Sequence, residues 1–280
     1  MVLSFGEVLM DCLPDKNVIG GAPFNVITHI KRLGESSGII SKIGTDDFGD
    51  KINFFLKNEN IDLFVQRDEN YKTGYVTVKF INSQPNYTIH SECGWEFIDF
   101  FDVSPPDYFV FGSLALHFPQ NKKSFLKYKQ GFKNAISICD LNLRTPYFSK
   151  ENIEMCLSNA DVLKINDDEL DYLAAEYKVG NPISWLKEVY GISKVILTKG
   201  SKGATVYWEG EEVSCNIVPV ENIKDTVGAG DSFTALFIYG LIKNIPLQEN
   251  LKRASAFASL ICGQSGAMPE DLSLYDAYKL

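Results

Sequence analysis

Short, continuously apolar runs alternate along this chain with stretches whose apolar positions repeat at helical spacing. Runs over 2–9, 38–43, 108–111, 135–140, 162–165, 195–198 and 204–207 are strand candidates, and several are apolar throughout. A strand with one solvated face alternates polar and apolar residues, whereas one covered on both faces need not, so the pattern predicts buried parallel strands. Between them, 22–33 places Val26, Ile30 and Leu33 at i, i+4 and i+7, and 48–58 and 168–176 carry comparable stripes. The alternation predicts an α/β fold built on an open, mostly parallel sheet with helices on both faces.

One region breaks the rhythm. Residues 71–81 alternate with the period of a strand, and a second strand-like run, 87–91, follows the polar segment Asn82, Ser83, Gln84, Pro85 and Asn86. This predicts an antiparallel hairpin. Lying between α/β units, it cannot easily extend a parallel sheet. It is expected to form a small β-sheet lid, roughly 11–19 and 71–100, inserted in a single domain that spans 1–280.

Composition narrows the function. A 45% hydrophobic content with 19 Phe and 13 Tyr supports a sizeable core and excludes wholesale disorder. Against 27 basic residues stand 36 acidic ones, a net charge of −9, so the mean field repels polyanions and nucleic acid is not an expected partner. Small anions stay open as ligands, because backbone amides bind phosphate without side-chain charge. Cys12, Cys93, Cys139, Cys156, Cys215 and Cys262 show no CxxC or metal-type spacing and read as reduced core thiols. His29, His90 and His117 show no zinc-type spacing either. The apolar start lacks a basic segment and a cleavage site, and no apolar run reaches membrane length, so the expectation is a soluble cytoplasmic protein without a membrane partner.

The most informative chemistry lies at 225–233, DTVGAGDSF, before the apolar helical run 234–241. Gly228, Ala229 and Gly230 are small enough for successive N–H groups to turn toward one point at a helix start, where the dipole favours negative charge. Asp231 follows in the first turn. A carboxylate beside an anion hole suits a general base aimed at a hydroxyl that attacks a phosphate; the alternative is a helix cap. A GxGxxG reading fails because Phe233 stands where the third glycine would fall, and no GxxxxGK[ST] loop is present.

With these residues the chain resembles the ribokinase-like, or PfkB, carbohydrate kinases, and within them the fructokinases. DTVGAGDSF is similar to the family's C-terminal signature, and GGAPFNVITHIKRLG at 20–34 to its N-terminal one. Agreement extends through 6–11, SKIGTDDFG at 41–49, DLNLR at 140–144, NDDEL at 166–170, LTKGSKGA at 197–204 and GAMP at 266–269. The resemblance implies that Asp11, Gly20, Gly21 and Asn25 hold sugar hydroxyls, and that Thr198, Lys199, Gly200 and Gly203 line ATP with Gly228 and Gly230. It also implies that Asn166 and Glu169 position magnesium through water, and that Asp225 is a candidate ligand for a monovalent cation such as potassium. Arg144 resembles the fructokinase arginine that could neutralise charge on the phosphate path; a salt bridge with Asp140 or another acid is the alternative. Two departures stand out: Phe24 replaces a small residue, which would alter the pocket floor, and Leu141 stands where proline is frequent.

The expected activity is transfer of the γ-phosphoryl group of ATP to a primary sugar hydroxyl, with D-fructose to fructose 6-phosphate as first choice and Asp231 as base. Other acceptors, among them ribose, 2-keto-3-deoxygluconate or a phosphorylated hexose, are the rivals within enzymes. A catalytically silent sugar or nucleotide sensor is the rival outside them. The lid would exclude water from the transfer, and its other face could pair two subunits as a homodimer.

Overall fold

The computed structural model describes residues 1–81, 84–220 and 222–280. In chain order β1 (Val2–Phe5), β2 (Leu9–Cys12) and β3 (Asn17–Gly20) lead into α1 (Ala22–Arg32), β4 (Ser37–Gly44), α2 (Asp47–Asn58) and β5 (Asp62–Asp68). Next come β6 (Gly74–Ile81), β7 (Gln84–Ile89), β8 (Tyr108–Gly112), α3 (Pro119–Gly131), β9 (Ile136–Asp140) and α4 (Lys150–Ser158). They are followed by β10 (Val162–Asn166), α5 (Asp167–Tyr177), α6 (Pro182–Tyr190) and β11 (Lys194–Thr198). The chain closes with β12 (Ala204–Trp208), β13 (Glu211–Cys215), α7 (Ala229–Ile242) and α8 (Leu247–Cys262).

Nine strands form the main sheet in the order β13-β12-β11-β10-β9-β8-β1-β4-β5. From β5 to β11 all neighbours are parallel. Their continuous apolar character follows from burial on both faces. Leu3, Phe5, Phe109, Phe111, Leu163 and Ile165 project into a core with Phe125, Tyr128, Ile153, Leu173 and Leu186 from α3 to α6. The intervening Val2, Val110 and Val162 project the other way, against Val26 and Ile30 of α1, Phe237 of α7 and Leu251 and Phe257 of α8. Every residue of α7 from 232 to 240 is buried, which is why apolar residues occupy all sides of that segment, with only Ser232 and Thr234 as hydroxyl exceptions besides the Tyr239 phenol.

The structure corrects or refines the sequence reading at several points. The run 2–9 is two strands, because Gly6 breaks it and sends β2 into a second sheet; a Cβ on Gly6 would lie 2.8 Å from Pro23 Cγ. An apolar run carries no mark of the point where burial passes from one sheet to another. At the far edge β11, β12 and β13 are antiparallel, because the 199–203 connection is too short for a crossover. The polar edge strands β5 and β13 escaped the apolar search altogether. In the hairpin, Gln84, Pro85 and Asn86 belong to β7, with Ile81 opposite Gln84; the turn expected at Asn82 and Ser83 falls outside the described residues.

The second sheet, in the order β3-β2-β6-β7, packs Met10, Cys12, Ile19 and Tyr75 against α1, α2 and β4. Residues 90–100, expected within the lid, leave the sheet; Gly94–Phe97 form a short 3-10 turn with Trp95 fully buried. Asp46 roots the lid. Its side chain caps α2 by accepting the Gly49 N–H at 2.9 Å and also accepts the Thr73 N–H at 2.8 Å and the Thr73 hydroxyl at 2.6 Å. Phe24 lies fully buried against Phe55 with ring centroids 5.5 Å apart, so it fills the α1–α2 core and not the floor of a pocket. All six cysteines are free, His29 is a buried core residue bonded to the Tyr275 hydroxyl at 2.7 Å, and no helix among the described residues is long and apolar enough to cross a membrane.

Asp46→Ala removes a helix cap and two tethers at once. We expect a loss of about 2 kcal/mol or more in urea unfolding, together with faster amide exchange at Thr73. Unchanged exchange at Thr73 would show that the lid is rooted elsewhere.

Candidate active site

The order of the main sheet turns around β1, which has β4 on one side and β8 on the other. In open α/β sheets a crevice forms at such a point beyond the carboxyl ends of the strands. Glu7 lies just past β1, Asp140 ends β9 with Arg144 four residues on, and Asn166 ends β10. Two helices also begin here, α1 after Gly21 and α7 after Gly228, so their positive ends converge on the crevice.

Asp231 occupies the first turn of α7, yet its side chain makes no helix cap. Instead Oδ2 accepts a hydrogen bond of 2.7 Å from Asn25 Nδ2, across 206 positions of sequence. Burial pushes its carboxyl up to about 6; Asp140 adds to the rise, and Asn25, Lys164 and Arg144 oppose it. Ala229 N–H reaches the Thr226 carbonyl at 3.3 Å, while among the described residues no carbonyl takes the N–H of Gly228, Gly230 or Asp231. Those amides can receive an anion. The conformational demand of the turn falls on Gly228, with φ of 75°, where a Cβ would also overlap Ala267. Gly230 has ordinary backbone angles; its constraint is space, since a Cβ there would lie 3.1 Å from Lys164 Nζ.

From the lid, Asp11 on β2 faces the same crevice. Its carboxylate packs over Gly20, where any Cβ would overlap it. Leu9 and Val76 share that face of the sheet and are packed with Leu13 and Ile89, so a carboxylate stands within an apolar patch. Burial, reinforced by Asp231 and opposed by Arg144, pushes Asp11 up to about 6. Gly21 starts α1, and its carbonyl accepts the Asn25 N–H at 2.8 Å. Glu7, buried against Ala22 and Pro23, is pushed up to about 7 by burial, with its own backbone N–H opposing and Asp231 adding.

Arg144 is exposed and forms no ion pair among the described residues; Asp140, the partner considered for it, pairs with buried Lys164 at 3.0 Å. Asn166 and Glu169 form a reciprocal capping box at the start of α5. Asn166 Oδ1 accepts from Glu169 N at 2.8 Å, and Glu169 accepts from Asn166 N at 3.0 Å and from Leu143 N at 2.8 Å. Each acceptor oxygen thus already holds a backbone N–H. That donor set fits the support of a hydrated magnesium ion better than direct ligation, in keeping with the waters magnesium retains.

The other expected residues have structural tasks in view. Lys199 Nζ turns back to Thr205 Oγ1 at 2.8 Å, and its N–H closes the 199–203 turn on the Gly203 carbonyl at 2.8 Å. Thr198 ends β11, Gly200 is open to its surroundings, and Gly203 is pressed against the Cys215 carbonyl, so glycine is required there by β13. Asp225 clamps two loops, accepting from Val227 N at 3.0 Å and Gly266 N at 3.2 Å.

Sequence reasoning gave no place in the site to Glu7 or Lys164, and considered Asp140 only as a partner for Arg144. A signal existed for all three, namely charged residues at or inside otherwise apolar strands, where unpaired charge is rarely buried. Without the register that sets Lys164 beside Asp140, nothing in the string shows that they pair.

A profile of the pfkB family carbohydrate kinases matches residues 2–272. Fructokinase-2 of Zea mays is 27% identical over 96% of this chain and 90% of its own. An ATP-dependent 6-phosphofructokinase of Thermoanaerobacterium thermosaccharolyticum is 26% identical over 100% of this chain and 95% of its own. Among solved structures, an uncharacterized sugar kinase from Pyrococcus horikoshii in complex with ATP superposes with a TM-score of 0.82 at 25% identity, covering 99% of this chain and 100% of that one.

Asp231 titrates at about 6 in the folded protein against an ordinary 3.8, so between these values the native state binds the extra proton. Its contribution to stability is therefore greatest at low pH and is lost as pH rises through 6. The stability of Asp231→Asn relative to wild type should accordingly grow between pH 5 and pH 8, read from urea midpoints at each pH. A constant difference across that range would mean that the carboxyl titrates normally.

Proposed function

Because this chain belongs to the pfkB family of carbohydrate kinases, phosphotransferases with an alcohol acceptor, we propose that it phosphorylates D-fructose at its primary 6-hydroxyl with Asp231 as general base. The observation that carries this reading is the Asp231 carboxyl, held by Asn25 beside helix-start amides that no carbonyl occupies among the described residues. A carboxyl that only bound phosphate would repel it. One that takes a proton from an attacking hydroxyl needs this placement.

In the proposed reaction Asp11 and Asn25 orient the sugar, and Asp231 accepts the hydroxyl proton as the oxygen bonds to the γ-phosphorus. The bond from that phosphorus to the bridging oxygen breaks, and ADP leaves. The amides of Gly228, Gly230 and Asp231 receive charge that spreads onto the transferring oxygens, and Arg144, exposed and without an ion pair among the described residues, supplies positive charge on the same path. Thr198 to Gly203 would pass along the nucleotide. When bound with ATP, magnesium neutralises charge on the phosphates, and Asn166 and Glu169 are the residues that would hold its water shell. Potassium at Asp225 rests on the family resemblance alone, since both carboxylate oxygens there already accept N–H groups.

The acceptor end favours a neutral sugar over a phosphosugar. Asp231 acts on both Glu7 and Asp11 there, and Arg144 is the cation that acts on all three. A second phosphate would meet net negative charge. The hairpin also leaves backbone edges at β3 and β7 on which a second copy of the chain could pair, which supports a homodimer through the lid.

An assay of ADP release over a panel of sugars tests the reading. D-Fructose should give the highest kcat/KM, ahead of ribose, 2-keto-3-deoxygluconate and fructose 6-phosphate. A clear lead for fructose 6-phosphate would replace the proposed acceptor. Asp231→Asn should bind an ATP analogue as wild type does while turnover falls about a hundredfold or more. With the base at about 6, kcat/KM should decline as pH drops through that value.

A further inference from the structure

Behind the 228–230 turn lies a buried charged chain that the reaction above does not use. Lys164 and Asp140 are register partners on β10 and β9, and their side chains pair at 3.0 Å with 6% and 5% of each residue exposed. The other Asp140 oxygen lies 3.3 Å from the hydroxyl of fully buried Thr234, one turn into α7. That hydroxyl also reaches the Gly230 carbonyl at 2.9 Å, so its proton is shared between carboxylate and carbonyl. Lys164 Nζ also stands close to Gly230, 3.1 Å from where a side chain there would begin. The pair thus meets Gly230 twice, Asp140 through the Thr234 hydroxyl and Lys164 by close approach.

A buried ion pair is a poor means of stabilising a fold. Desolvation of the two charges largely cancels their attraction, and apolar residues of the same volume often serve as well. The position of this pair is more informative than its energy, because it meets the one turn whose amides must stay aimed at a phosphate and the one carboxyl that must lose and regain a proton.

We infer that Lys164, Asp140 and Thr234 form a positioning unit for phosphoryl transfer, which fixes the 228–230 turn against the sheet and balances the charge behind Asp231. The inference rests on the kinase reading proposed above. Asp231 is faced by Asn25 from α1, Glu7 beyond β1, Asp11 from β2, Asp140 from β9, Arg144 beyond β9 and Lys164 from β10, with Glu169 of α5 acting on Lys164. Within that set Asp140 favours the protonated form of Asp231 and Lys164 the ionised form. Removing either one alone leaves the other uncompensated.

The test follows the Asp231 carboxyl carbon by NMR titration of aspartate-labelled full-length protein, assigned by its loss in Asp231→Asn. Asp140→Asn should lower the Asp231 midpoint by about one pH unit, Lys164→Met should raise it by a similar amount, and the double variant should return it toward wild type. Shifts of one sign in both single variants, or none in either, would overturn the charge-balancing role. Thr234→Val keeps both charges and the side-chain shape, so it guards against variants that fail to fold. It should weaken binding of a non-hydrolysable ATP analogue roughly two- to tenfold, the worth of one hydrogen bond, with the Asp231 midpoint unmoved. Wild-type affinity in Thr234→Val would overturn the grip on the turn. Neither arm needs a sugar, so a failure of wild type to phosphorylate any acceptor would count against the proposed reaction and not against this unit.

Discussion

The hydrogen bond from Asn25 to Asp231 joins the first turns of two helices that enter the same crevice from opposite ends of the sequence. It can form only if α1 and α7 pack side by side over one face of the sheet, with both amino ends at the carboxyl edge of the strands. That packing dictates much else. It demands the apolar, fully buried body of α7. It also lets two helix dipoles act on a single carboxyl.

Much of the fold could be read from the string because burial on both faces leaves a plain signature in β1, β4, β8, β9 and β10. The lid was readable for the opposite reason, since its alternating pattern interrupts that signature. What escaped was decided by geometry rather than composition. Nothing in an apolar run marks Gly6 as the point where the chain changes sheets, and β5 and β13 are too polar, as edge strands often are, to be found by apolar content.

The site divides the same way. Glycines and Asp231 announced themselves by residue type at a helix start, whereas Asp11 entered only through the family resemblance. The functions of Asn166 and Glu169 looked like ion chemistry in the string, yet their side chains close a capping box that any helix could use. Gly203 offers a similar lesson: it reads as room for a nucleotide, while the structure shows it making room for the Cys215 carbonyl. One residue can serve both ends, but a motif alone does not say which neighbour imposes it. Lys164 is the converse case, a residue with no motif whose importance appears only when β9 and β10 are placed in register.

The charge distribution resolves an apparent conflict between a net charge of −9 and a polyanionic substrate. At the nucleotide end the protein offers backbone N–H groups and helix termini, which attract phosphate without adding side-chain charge that would need a partner in its absence. At the proposed sugar end it gathers Glu7, Asp11 and Asp231, whose burial, with Asp231 adding to the rise at the other two, holds all three carboxyls above their ordinary range. Such a cluster tolerates a neutral polyol, whose hydroxyls satisfy carboxylates by donating hydrogen bonds, and penalises another anion. Lys164 stands between the two ends with its charge already matched by Asp140, so it can stiffen the boundary without binding either substrate. In the proposed reaction, acceptor choice and nucleotide binding are thereby separated electrically within one crevice, and Asp231 at the junction is the carboxyl that both ends influence.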